Sequence, residues 1–208
     1  MEIHSWFQLV VICFLGAVSP GPSLALVVSN TMAGGRVYGI VTSLGHGVGI
    51  GLWAFLTAVG IAEVLMSRSS ILLVLQSLGA CLLIYIGVRT IITKSNLLIQ
   101  QKNFQPTSYV KIFRGASEGF LASILNPKVA LFFIAIFSHL VQSDSDWIEI
   151  GFMGITAALI DAFWYVFVAL MLTRAGMIQI FQNRENIIRK VSGTLLILVA
   201  FYLLITMI

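Results

Sequence analysis

Charge is what this sequence has least of. Of its 208 residues only 10% are Asp, Glu, Lys or Arg, against 59% hydrophobic, whereas a soluble domain carries about 25% charged residues. That deficit excludes an ordinary soluble domain and points to a polytopic membrane protein. Cysteine is nearly absent. Cys13 and Cys81 stand far apart, with no C-x-x-C and no His at ligand spacing, and read as two small buried hydrophobes. No G-x-x-x-x-G-K-[ST] phosphate loop occurs, so the chain has no nucleotide-hydrolysing motor of its own. The start, Met1-Glu2-Ile3-His4, lacks the basic flank of a secretory signal, and the apolar run behind it is longer than a signal-peptide core. The first segment is therefore expected to stay as a span. Only four prolines are present, and Pro20, Pro22 and Pro127 fall inside apolar runs.

What is there is apolar length. At about 20 residues per span, the runs predict six membrane helices, over 6–30, 37–61, 71–92, 115–139, 148–173 and 191–208. They make one membrane domain, 1–208, with halves 1–93 and 114–208 joined by a linker, 94–113. The net charge of +4 is explained by orientation rather than by an anionic partner, and nucleic acid is not expected. The 93–114 loop carries Lys94, Lys102, Lys111 and Arg114, and the segment between spans five and six carries Arg174, Arg184, Arg189 and Lys190. Both belong in the cytoplasm, with Arg36, while Asp144 and Asp146, and Glu63 with a lone Arg68, fall outside. Both termini then face outward.

The organising stretch is Ser19-Pro20-Gly21-Pro22, inside the run from Trp6 to Val28. Proline removes a backbone donor and clashes with the preceding turn, and glycine lets the chain change direction, so the helix must break there. Irregular backbone survives in hydrocarbon only when buried in protein or lining a wet cavity, which predicts a cavity beside Ser19. Asn126-Pro127-Lys128 interrupts span four in the same way. Three spans per half is an odd number, so the halves enter the membrane in opposite senses. Pro22-Ser23-Leu24-Ala25-Leu26 and Pro127-Lys128-Val129-Ala130-Leu131 share Pro-x-x-Ala-Leu, and the expected fold is an all-α membrane protein of two inverted three-helix repeats with broken helices in spans one and four.

Lys128 and Asp161 lie near the middles of spans four and five, where each costs at least about 2.5–3.5 kcal/mol to insert. They are expected to face each other as a pair. His46 lies at membrane depth and suits either a proton relay or a hydrogen-bonded structural role. It sits between Gly45/Gly49 and Gly47/Gly51, two bare stripes that either line a path or let other helices approach. Gly79, Gly87 and Gly193 read as helix contacts, and Glu118 beside Arg114 as an interfacial residue. Trp164 and Tyr165, one turn after Asp161, serve either a bound solute or the core. The candidate pathway is therefore Ser19, Pro20, Gly21, Pro22, Ser23, His46, Asn126, Pro127, Lys128, Asp161, Trp164 and Tyr165.

Ser-Pro-Gly-Pro in span one and Asn126-Pro127-Lys128-Val129-Ala130-Leu131-Phe132-Phe133 in span four, with Gly35-Arg36, Gly39, Gly79, Tyr85-Ile86-Gly87, Asp161 and Trp164-Tyr165, make the chain resemble the LysE/RhtB family of bacterial amino-acid exporters. The resemblance covers nearly the whole chain. It implies a six-span inner-membrane protein, not an enzyme, that exports amino acids or related small metabolites in exchange for protons without a cofactor, often as a homo-oligomer such as a dimer. One departure is Ser23, where the family commonly has Asn or Asp. Two other classes compete. A divalent-metal exporter needs several core ligands, and only Asp161 and His46 qualify; an intramembrane redox protein needs a cysteine pair, which Cys13 and Cys81 do not form.

Loop charge yields a first prediction. With the native thiols replaced, a cysteine at position 102 should react with an impermeant reagent only from the cytoplasm and one at position 144 only from the outside. The opposite pattern would invert the topology.

Overall fold

A computed structural model describes residues 3–67, 72–92, 108–141, 145–174 and 177–205, which form seven α-helices and, among the described residues, no strand. Helix α1, Ile3–Val18, ends where Ser19 precedes Pro20, because a residue before proline is pushed out of the helical region. Its last bond runs from Ser19 N to Leu15 O. Pro22 then opens α2, Pro22–Ser67, at the first helical position, where a missing N–H costs nothing.

Helix α2 is interrupted at one residue. Gly35 has φ 79° and ψ −175°, a conformation open essentially to glycine alone, and it divides α2 into a first arm, 22–34, and a second, 36–67. The expected turn between spans one and two is thus a single glycine. After α3, Leu72–Ile92, come α4, Ser108–Ile124, and α5, Pro127–Leu140, which meet at 57° across the Asn126-Pro127 break. Asn126 caps α5 by accepting from Lys128 N, so a residue at the break also starts the next helix. Asp146 caps α6, Trp147–Leu172, through Glu149 N at 2.7 Å. Helix α7, Met177–Ile205, starts well before the expected span at 191, so Arg184, Arg189 and Lys190 lie on a helix rather than in a loop. Lys111 and Arg114 likewise lie on α4, whereas Lys94, Lys102 and Asp144 are outside the described residues.

Among the described residues, Pro22–Ala62, Trp147–Leu172 and Asn183–Ile205 are each long and apolar enough to cross a bilayer. The bent pair Ile112–Ile124 and Pro127–Leu140 makes a fourth crossing if it is one broken span; Ile3–Val18 and Ser77–Ile92 are shorter apolar helices.

Glycines set how closely these helices pack. The second arm of α2 is the hub: Gly45 and Gly49 lie against Ala116, Phe120 and Ser123 of α4, while Gly47 and Gly51 lie against Ala158 and Ala162 of α6. The two bare stripes are used for packing, and they hold His46 between two neighbouring helices. Gly79 abuts Ala135 and Ser138 of α5. At the crossing of α3 and α7, Gly87 and Gly193 each meet the other's carbonyl. The main core joins Leu9, Ile50, Phe133, Phe137, Met153 and Leu196, and a second cluster seats the first arm of α2 on Tyr165, Val168 and Leu172 of α6. Cys13 is buried, but Cys81 is exposed on α3, against expectation; Gly79 and Ala80 take the inward positions of that turn.

A methyl group on Gly87 would stand 2.7 Å from both Gly193 O and Ile197 Cγ1. Gly87→Ala should therefore lose about 1–3 kcal/mol to overpacking, read as a lower melting temperature in detergent. Gly60 and Gly151 have open space at the same atom, and their alanine variants should be neutral or slightly stabilised by helix propensity.

Candidate functional site

The breaks at 19–21 and 125–126 come together. Between them lies a chamber of about 50 Å³, lined by Ser19, Gly21, Pro22, Ser23, His46, Asn126, Lys128, Asp161 and Tyr165 among its polar and backbone-break residues. Cys13, Ile50, Phe132, Phe133 and Ala157 are among the other residues of its wall. That volume holds a few water molecules and is too small for an amino acid unless side chains move. A wider cavity of about 550 Å³ adjoins it, lined by Pro20, Pro127, Ala25, Leu131 and the α3 residues Tyr85, Ile86, Arg89 and Thr90. Gly21, Pro22 and Lys128 line both.

A hydrogen-bonded chain follows the partition. Lys128 Nζ donates to Ser19 Oγ at 2.8 Å, and Ser19 Oγ lies 3.2 Å from Thr90 Oγ1. On the other side of the break Asn126 Nδ2 donates to Ser23 Oγ at 3.1 Å, and Ser23 also meets the Tyr165 hydroxyl. Four elements are tied in this way: α3, the α1–α2 break, the α4–α5 break and α6. The helix N-termini of α2 and α5 both open onto the chamber, and each carries a partial positive charge.

Asp161 does not pair with Lys128. Its Oδ2 lies 2.7 Å from His46 Nδ1, with His46 1% and Asp161 5% exposed. The expected partner is wrong for a geometric reason: the ammonium is held at the break by Ser19, while the glycine stripes of α2 press His46 directly onto α6. His46 Nδ1 and Asp161 Oδ2 share this hydrogen bond, while His46 Nε2 is buried without a hydrogen-bond partner. Tyr165 packs edge-on against the His46 ring, centroids 5.0 Å apart.

Of the sequence candidates, nine line the chamber, Pro20 and Pro127 line only the wider cavity, and Trp164 lines neither. Trp164 instead stacks on Phe167 and meets Phe14 edge-on. Two features escaped the sequence reading. Arg89, in the last turn of α3, reaches the wider cavity. Glu118 accepts from Asn30 Nδ2 at 2.8 Å, Tyr38 hydroxyl at 2.8 Å and Arg114 Nε at 2.7 Å, locking both arms of α2 to α4 around the Gly35 kink. The Arg114-x-x-x-Glu118 spacing was a visible signal for the helix pair; Asn30 and Tyr38 were not recognisable as its partners.

The sequence matches the model of the family described as LysE type translocator over residues 14–207. It is 24% identical to the uncharacterized membrane protein YrhP of Bacillus subtilis, covering 94% of this chain and 96% of that one. It is likewise 24% identical to the uncharacterized membrane protein YahN of Escherichia coli, covering 93% and 86%. With the leucine efflux protein of Salmonella typhimurium the identity is 21%, over 93% of this chain and 89% of that protein. No solved structure matches.

The pairing of charges is testable by stability. His46→Leu should cost about 3–5 kcal/mol by leaving a buried carboxylate uncompensated, and His46→Leu with Asp161→Leu should recover much of that loss. Melting temperatures in detergent should show this coupling between positions 46 and 161 and none between 128 and 161.

Proposed function

The chain belongs to the LysE type translocator family, and from that premise we propose that it exports a small amino acid across the bacterial inner membrane in exchange for protons. The observation that carries this reading is the convergence of two broken helices on one small chamber that both polar groups and apolar walls line. Two helix N-termini and the Lys128 ammonium suit a carboxylate, and the walls of Ile50, Phe132, Phe133 and Ala157 suit an apolar side chain. Leucine, the substrate in the name of the Salmonella relatives, fits both requirements and is the first to test.

Two roles follow for the site. Lys128 binds the substrate carboxylate in place of Ser19. His46 and Asp161 hold the coupled proton, taken up from outside when the chamber opens there and released inside when it opens inward. Both cavities meet at Lys128, which suits alternating access to one central site. The site residues are Ser19, Gly21, Ser23, His46, Asn126, Lys128, Asp161 and Tyr165, with Pro20, Pro22 and Pro127 keeping the breaks open.

The six-span inverted repeat is the architecture we propose for this mechanism. In it α1 with the first arm of α2 forms span one, the second arm forms span two, and α4 with α5 forms span four. Support comes from Gly87 and Gly193, which meet each other at the α3–α7 crossing and are separated by almost the same number of residues as Pro22 and Pro127. A two-fold axis in the membrane plane requires such self-paired contacts. The halves are then 1–93 and 114–208, with both termini outside. A metal exporter is the weaker reading: among the described residues no three His, Cys, Asp or Glu side chains are grouped so that they could hold a metal ion.

Export from cells loaded with labelled leucine and a panel of other amino acids tests this. The parent should concentrate substrate outside. Asp161→Asn, whose amide cannot titrate, should lose uphill export yet retain downhill exchange, and Lys128→Met should raise the half-saturating concentration. Gly21→Leu should block export at normal membrane abundance, since its side chain would fill the space between the breaks, where a Cβ meets only Lys128 Nζ at 3.8 Å. If Asp161→Asn concentrates substrate with the parent's pH dependence, the proton is carried elsewhere.

A further inference from the structure

The wider cavity is large enough for a small-molecule ligand, unlike the chamber, and its chemistry differs. Two cations, Arg89 and Lys128, line it, and among the described residues no acidic side chain does. Arg89 makes no hydrogen bond or ion pair with any described residue. Lys128 forms the inner boundary through its bond to Ser19, whose hydroxyl meets Thr90 on the cavity side. An ordinary role for a basic residue in the last turn of a helix is to offset the helix dipole or anchor the span at the interface. Neither role calls for a 550 Å³ cavity shared with a second cation.

We propose that this cavity is a separate loading site for a carboxylate, in which Arg89 captures the substrate before its carboxylate passes to Lys128. The inference rests on the export reading and adds a specificity rule. Guanidinium and carboxylate form a forked, charge-assisted pair, so Arg89 selects molecules that carry a free carboxylate. With both cations unopposed, the site rejects molecules of net positive charge, whose side-chain ammonium would find no partner in the cavity. The Ser19–Lys128–Thr90 cluster is the partition that such a carboxylate opens, by replacing Ser19 as the acceptor of the Lys128 ammonium. Leucine and other neutral or acidic amino acids are admitted; lysine and arginine are not.

The test is equilibrium binding of labelled leucine to the purified full chain in nanodiscs, beside transport by the same preparation. Competitors are 4-methylpentanoate, which keeps the carboxylate and lacks the amine, and 3-methylbutylamine, which keeps the amine and lacks the carboxylate. The acid should displace leucine from the parent and the amine should not. Arg89→Gln should weaken binding on the order of tenfold, as loss of a charge-assisted bond implies, and Arg89→Lys should restore part of it. Arg89→Glu should reverse the preference, so that the amine competes. An anionic lipid headgroup offers the guanidinium the same chemistry, so phosphatidylcholine nanodiscs are compared with ones containing phosphatidylglycerol. Equal leucine affinity in both supports a free carboxylate; loss of the Arg89 dependence with phosphatidylglycerol makes Arg89 a lipid anchor and overturns the proposal. Parent-like binding by Arg89→Gln and Arg89→Glu, with leucine transport intact, overturns the loading site and leaves export standing. If the parent neither binds nor transports leucine or any amino acid of the panel, both readings fall.

Discussion

A peptide group left without a partner in hydrocarbon costs several kcal/mol, and this chain interrupts its helices at 19–21 and 125–126 in apolar surroundings. The rest of the structure answers that cost. Each break is brought against the other, Asn126 spends its side chain on the first turn of α5 and on Ser23, and Lys128 supplies a donor to Ser19. What the helices lose in regularity is recovered as a cluster of polar groups facing a common space. Glycine makes this possible at a distance: the stripes on the second arm of α2 let α4 and α6 approach closely enough to enclose it.

Charges are then sorted rather than pooled. A buried carboxylate and a buried ammonium would neutralise each other if they touched, fixing the site as a structural ion pair. Instead Asp161 is committed to an imidazole and Lys128 to a hydroxyl. Each partner is neutral or titratable, so neither group is locked. An ammonium held by a single serine is open to exchange for a better acceptor, and a carboxylate held by a histidine lies beside a base that can take a proton. That separation leaves an ammonium and a carboxylate–imidazole pair as two distinct polar groups on the chamber wall.

The breaks were legible because proline and glycine act through the local backbone, whatever surrounds them. Ser19, Gly21, Ser23, Asn126 and Lys128 followed from that reading and do line the chamber. His46 and Asp161 were visible as polar residues at membrane depth, but their pairing was not, because depth along a helix says nothing of the angle at which a side chain leaves it. The same lack of angular information sent Trp164 into the expected site, when only its neighbour Tyr165 points there. Glu118 looked interfacial because its helical partner Arg114 is near in sequence, while Asn30 and Tyr38 reach it only through the fold. The length of α2 was hidden for another reason: Gly35 turns the chain within one residue, where a loop was expected.

Whether substrate passes through the chamber can be asked of a side chain already there. Cys13 is buried in its wall, and the other cysteine, Cys81, lies exposed on α3. In a Cys81→Ser variant reconstituted in liposomes, the rate at which a small, membrane-permeant thiol reagent modifies Cys13 reports access to the chamber. Leucine at saturating concentration should slow that modification severalfold, and modified protein should stop exporting. Modification that proceeds at the same rate with and without leucine, in protein that exports leucine before and after it, would contradict a substrate path between the two broken helices.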